Sequence, residues 1–173
     1  MFVYHGSPTL FEDFDYSKVG TNGTSEGKGM YFTDKKKVAE SYGREGYLYK
    51  VKFSGSKSLS SDSLTLTEED FRKFVKALDK ETDYLSNWGD TKYEGKETVV
   101  GYAVEGEYEN AESDTELLGS LINSSGDIEA VNRLAYTLLG YDSIVVDAEW
   151  GNQRLYIALV QDVIEIVSVE AVH

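Results

Sequence analysis

Hydrophobic positions repeat along this chain with two different periods, and the change between them organises the reading. Phe2-Val3-Tyr4-His5 reads as a short strand, and Met30-Tyr31-Phe32-Thr33 as a second. Leu48 to Phe53 alternates apolar with basic residues, the pattern of a half-buried strand. Between the last two, Thr33 or Asp34 can cap a helix running to about Tyr42. Residues 17–29 are rich in Ser, Gly, Thr, Asn and Lys and read as a mobile loop, and residues 54–63 as a Ser/Gly linker.

Helical spacing then takes over. Thr67 begins a helix whose first turn carries Glu68, Glu69 and Asp70, which complement the positive end of the helix dipole. Phe71, Phe74, Val75 and Leu78 form its apolar stripe. Residues 83–97 are polar and read as a loop, Thr98–Val104 fits either a strand or a buried helix, and the acidic stretch 105–113 reads as exposed. Leu117, Leu118, Leu121 and Ile122 predict a helix ending near Gly126. Asp127 caps another, with Ile128, Val131, Leu134, Ala135, Leu138 and Leu139 on one face and Gly140 as its stop. The alternating pattern returns in Ser143–Asp147, Leu155–Val160 and Val163–Val169, with Trp150-Gly151-Asn152 as the turn between the first two. Strands at both ends and helices between them make an α+β chain. Neither end has enough strands for a stable sheet alone, so the two ends are expected to pair in space.

At 173 residues the chain suits one domain, 1–173, with a helical, acidic middle region at about 64–140. It has no cysteine, and its two histidines, His5 and His173, stand at opposite ends, which argues against a metal centre. No apolar run approaches a membrane span and the N-terminus lacks the pattern of a secretion signal, so a cytoplasmic location is expected. The net charge of −14 repels phosphate backbones and argues against direct nucleic-acid binding. That charge is uneven: residues 1–52 sum to +1 and the remainder to −15, so an anionic ligand is tolerated best near the N-terminal third.

The residues with chemical potential sit in that third. Tyr4-His5-Gly6-Ser7 places an imidazole at a strand end, followed by a residue without a side chain and a hydroxyl. Gly27-Lys28-Gly29 fits neither the phosphate-loop spacing nor the dinucleotide-binding glycine fingerprint. Tyr31 on a strand and Tyr42 near the end of the next helix can converge on one slot. Two phenol faces would hold a flat cationic ring such as nicotinamide, each by about 0.5–2 kcal/mol of cation–π attraction.

Together, His5-Gly6-Ser7, Gly29-Met30-Tyr31-Phe32-Thr33-Asp34, Ala39 and Tyr42 resemble the diphtheria-toxin-like and poly-ADP-ribose-polymerase-like branch of the ADP-ribosyltransferase superfamily. The wider pattern of Tyr4-His5-Gly6-Ser7-Pro8, Phe11, Phe14-Asp15 and the Tyr31 segment also resembles transferase domains carried by phages and mobile elements, including anti-CRISPR ADP-ribosyltransferases. The resemblance is specific over residues 3–53 and extends in element order to 141–169. It implies split antiparallel β-sheets around an NAD cleft, with a helical insertion. It implies that His5 bonds the adenosine-side ribose, that Gly6 binds the nicotinamide amide through its backbone with Ser7 assisting, and that Tyr31 and Tyr42 sandwich the ring. Lys28 could approach the pyrophosphate on grounds of charge.

The family also uses a Glu on a late strand to grip the nicotinamide ribose and stabilise positive charge as nicotinamide departs. Here Gln153-Arg154-Leu155 fills that slot. Asp147, at the end of the Ser143–Asp147 strand, is the first alternative, Glu149 the second and Gln153 the third. The implied activity is NAD-dependent mono-ADP-ribosyl transfer to a host protein with a basic surface, in a phage-encoded anti-defence role. Two alternatives stay open: a non-catalytic acidic inhibitor that mimics nucleic acid, and an NAD glycohydrolase or toxin on the same scaffold.

Overall fold

The computed structural model describes residues 1–15, 19 and 29–173. Its strands are β1 (Phe2–Ser7), β2 (Met30–Thr33), β3 (Tyr47–Phe53), β4 (Ser58–Leu59), β5 (Ser143–Ala148), β6 (Gln153–Ala158) and β7 (Ile164–Ala171). Its helices are α1 (Lys36–Tyr42), α2 (Glu68–Thr82), α3 (Thr91–Glu94), α4 (Lys96–Ala103), α5 (Asp114–Ser125) and α6 (Ile128–Leu139). They divide into two compact units: a sheet unit of residues 1–58 and 141–173, and a helical unit of residues 59–140.

The strands form one mixed-order sheet, β4-β5-β6-β2-β1-β3-β7. As expected, the two chain ends interleave: β3 pairs with β7, and β2 with β6, both antiparallel. β1 is fully laddered to β3 from Phe2↔Lys52 to Ser7↔Tyr47. Its register with β2 holds at a single position, Tyr4↔Thr33. Alternation from that pair puts Tyr4, Gly6, Tyr31 and Thr33 on one face of the sheet and His5 and Phe32 on the other. α1 covers the first face. A Cβ on Gly6 would collide with the carbonyl oxygen of Ala39 and stand 2.6 Å from the Gly43 nitrogen. Gly6 thus lets the helix backbone sit directly on the strand.

α1 itself starts differently from the sequence expectation. Its N-cap is Lys35, without a side-chain cap. Thr33 Oγ1 accepts from the Lys35 N–H at 3.1 Å and Asp34 Oδ1 accepts from the Arg154 N–H at 2.9 Å, so neither residue caps the helix. Asp34 instead stitches the end of β2 to β6.

In the helical unit the strongly periodic segments fold as read. Thr67 caps α2 by accepting from the Asp70 N–H, and Phe71, Phe74, Val75 and Leu78 are buried. Asp127 caps α6 in the same way, and α5 and α6 end at Gly126 and Gly140. Two expectations fail. Residues 83–97 are not a loop but a 3₁₀ turn at Tyr84–Asn87, then α3 and the start of α4. Val99, Val100 and Ala103 are buried on α4, which resolves Thr98–Val104 as helix. The acidic stretch that follows is a π-helical turn, Val104–Tyr108, and its Glu107 is 8% exposed. The carboxylate accepts from Tyr84 Oη at 2.6 Å, Ser124 Oγ at 2.6 Å and Ser120 Oγ at 3.2 Å. Those hydroxyls replace water, which is what permits an acid to be buried there.

A second acid, Asp114, is fully buried. It accepts from the N–H groups of Ser60, Thr65 and Leu66 at 2.7–2.9 Å and from Thr65 Oγ1 at 2.5 Å, fixing the linker. A cavity of about 20 Å³ bounded by Leu66, Phe71, Phe74, Leu117 and Leu121 has room for little more than one water.

Candidate functional site

Of the sequence-predicted residues, His5 and Tyr31 meet where β1 and β2 stop pairing. His5 lies just past Tyr4↔Thr33, and its Nδ1 is 2.8 Å from the Tyr31 carbonyl oxygen. A carbonyl only accepts, so Nδ1 carries the proton and Nε2 holds the lone pair. Burial lowers the imidazole pKa below its usual range, opposed in part by the Tyr31 carbonyl. The ring is therefore neutral near pH 7.

Four aromatic rings pack around it. Phe14 stands at 5.1 Å, Phe32 at 5.9 Å, Phe11 at 6.0 Å and Tyr49 at 6.1 Å between ring centroids. Phe11 stacks on Tyr49 at 4.1 Å, and its backbone N–H donates to the Tyr49 hydroxyl, which donates in turn to the Phe11 carbonyl. The side chain of Gln161 donates to the Phe14 carbonyl, tying this loop to the sheet unit. The sequence signal for this box was the pair Phe11 and Phe14, three residues apart, following the histidine strand. Their contribution is to desolvate and orient the imidazole.

Tyr31 shares its sheet face with Gly6 and stands opposite Ile157. Tyr42 ends α1, the helix lying over that face, and is 58% exposed. Both phenols thus belong to the same side of the sheet. Ser7 is buried, and its hydroxyl donates to the Thr9 carbonyl at 2.9 Å while accepting from the Thr9 N–H at 3.2 Å. That hydroxyl closes the turn after β1. Lys28 lies outside the described residues.

The late strands supply the acids. Asp147 pairs with Arg154 across β5 and β6, two positions along from Val145↔Tyr156. Tyr156 is opposite Phe32, so Asp147 belongs to the histidine face and not to the α1 face. Its carboxylate accepts from Arg154 Nε at 2.7 Å and Nη2 at 3.4 Å, and this bond and charge hold its pKa below the usual carboxylate range. Glu149 is exposed on the β5–β6 turn, next to Trp150. The Trp150 ring meets Tyr42 edge-to-face at 5.8 Å. Gln153 opens β6 and is 6% exposed. Its Nε2 donates to the Trp150 carbonyl at 3.2 Å, and its Oε1 has no hydrogen-bond partner among the described residues.

Among the described residues no cluster of three or more His, Asp or Glu side chains could hold a metal ion, and no helix is long and apolar enough to cross a membrane. No curated protein and no solved structure matches the chain. A family model described as ADP-ribosyltransferase in polyvalent proteins matches residues 1–162, which takes in the histidine strand, both tyrosines and the late hairpin. The chain belongs to that ADP-ribosyltransferase family.

Proposed function

We propose that this protein is an NAD⁺-dependent mono-ADP-ribosyltransferase whose dinucleotide lies along the seam between β1 and β2. The observation that carries this reading is the placement of Tyr31 and the Tyr42-bearing helix on one side of the sheet, with His5 on the opposite face bonded to the Tyr31 backbone carbonyl. The exposed Tyr42 ring offers an electron-rich face to a cationic pyridine. His5 Nε2 accepts from a ribose hydroxyl, because Nδ1–H is committed to the Tyr31 carbonyl. The Gly6 backbone takes the carboxamide.

Of the two acids, Glu149 is the better partner for the nicotinamide-side ribose. It adjoins Trp150, which touches Tyr42, while Asp147 is occupied by Arg154 on the histidine face. This reverses the order expected from strand position alone. The buried, unpartnered Gln153 Oε1 is a second acceptor for a ribose hydroxyl. In the reaction, the bond between the pyridine nitrogen and ribose C1′ breaks with its electron pair leaving on nicotinamide. A bond from the acceptor nucleophile to C1′ forms, and the nucleophile's proton passes to a nearby carboxylate or to water. The Glu149 charge favours the positive centre at C1′ in the transition state more than in the ground state.

The acceptor is a protein with a basic surface. The helical unit holds seven Lys/Arg against eighteen Asp/Glu and would steer such a partner electrostatically. An anti-defence role in the cytoplasm of a phage-infected cell fits that chemistry. The test is incubation with labelled NAD⁺ and a cell lysate. Wild-type protein should label a protein band, and Tyr31→Ala and Glu149→Gln should not. No label from wild type, or equal label from all three, would sink the reading.

A further inference from the structure

The β5–β6 turn meets α1 at two points and is braced internally at a third. The Trp150 and Tyr42 rings form a T-shaped pair with centroids 5.8 Å apart and planes at 64°. Gly151, at φ 73°, runs so close to α1 that a Cβ would stand 3.3 Å from Val38 Cγ2. The buried Gln153 amide donates to the Trp150 carbonyl at 3.2 Å, fixing the backbone from which the indole projects. A turn built only to connect two strands needs none of these contacts. Trp150 is 60% exposed, so its contact with Tyr42 is not a consequence of core burial.

We infer that Trp150 is a positioning residue for Tyr42: the T-shaped contact fixes the phenol plane so that a broad face stays presented to the nicotinamide ring. An edge-to-face pair restrains ring orientation while leaving one broad face open. Tyr42 is the last residue of a seven-residue helix, and α1 has no side-chain cap at its start and no basic residue in its last turn. Without a neighbour its side chain would sample several rotamers, and binding would have to freeze them. Trp150 removes that cost before the ligand arrives. This inference rests on the proposal that Tyr42 stacks on nicotinamide.

The test combines calorimetric titration of NAD⁺ with tryptophan emission in the intact chain. NAD⁺ should quench wild-type emission, and Trp150→Phe should abolish most of that quench while holding Kd within about twofold, because phenylalanine keeps the edge contact. Trp150→Ala should raise Kd for NAD⁺ by about fivefold to tenfold and raise KM in parallel, leaving kcat within about twofold. Far-ultraviolet circular dichroism checks that Trp150→Ala is folded, and rescue by Phe separates positioning from a folding defect. Unchanged Kd in Trp150→Ala, or a fall confined to kcat, would overturn the inference. If Tyr42→Ala itself binds NAD⁺ as wild type does, the stacking proposal fails and Trp150 loses its role with it.

Discussion

The sheet unit holds ten Lys/Arg against thirteen Asp/Glu, and the helical unit seven against eighteen, yet each unit buries some carboxylates among hydrogen-bond donors and leaves others in solvent. Asp114 and Glu107 of the helical unit disappear into the fold because backbone N–H groups and hydroxyls surround them. Glu149 and Asp147 of the sheet unit stay exposed on and beside a turn. The sheet unit also buries one acid, Asp142, which accepts from the Ser56 and Lys57 N–H groups and the Ser143 hydroxyl, and it leaves aromatic rings in solvent at Tyr42 and Trp150. Burial of an ion whose every partner is satisfied is a structural device. Exposed acids and rings are the groups that the proposed function assigns to a ligand. The contrast separates carboxylates that hold the chain together from those left at the surface, which charge counts alone do not.

The largest effect that can break this contrast is Asp114→Ala. It strips the acceptor from three N–H groups and one hydroxyl and should cost about 3–5 kcal/mol. Chemical denaturation should read that loss, and hydrogen exchange should show protection falling in residues 60–66. NAD⁺ affinity at 25 °C should be unchanged, provided the protein remains folded. An Asp114→Ala protein as stable as wild type would remove the structural half of the comparison.

Glu149→Gln should do the reverse: no change in melting temperature, and a fall in transferase kcat on the order of 10²-fold. Tyr42→Ala comes next, weakening NAD⁺ binding by about threefold to thirtyfold through loss of one stacking face, while Tyr42→Phe keeps most of the affinity. Both are read by titration and steady-state kinetics.

His5 gives a pH test of known sign. Its folded pKa is lowered by burial, so the unfolded chain takes up a proton first as pH falls. The stability present above the unfolded value, about 6.5, is lost progressively as pH drops below it toward the folded value. Urea midpoints measured at pH 7.5 and 5.5 should fall for wild type and fall less for His5→Asn. The smallest effect is expected of Asp147→Asn, which breaks an exposed pair with Arg154. Neither melting temperature nor NAD⁺ affinity should move measurably, because solvent screens such pairs. A large loss of turnover in Asp147→Asn would return the catalytic role to that residue.

Much of this molecule was legible along the chain. The α2 stripe, the Thr67 and Asp127 caps, the helix ends at Gly126 and Gly140 and the β2 and β3 strands all follow from local chemistry. The misreadings fall where distant groups override local polarity. Residues 83–97 read as loop because their composition is polar, but Tyr84 and Leu85 bury fully and order a turn. Glu107 read as exposed because nothing near it in sequence advertises Tyr84 or Ser124 as partners. Asp34 read as a helix cap, but an Arg154 N–H 120 positions away claims its carboxylate.

The sequence by itself determined the strongly periodic helices and strands and which residue types could meet a cationic ring, since period, capping and aromatic chemistry are carried by near neighbours. Only the tertiary structure decided which sheet face each side chain occupies. One register position, Tyr4 opposite Thr33, sets Tyr31 with α1 and His5 with the aromatic box. It also decided that Asp147 is paired, because an arginine across the strand pair holds it. Hydrogen-bond register and long-range pairing are cooperative properties of the folded sheet, with no local signature in the chain.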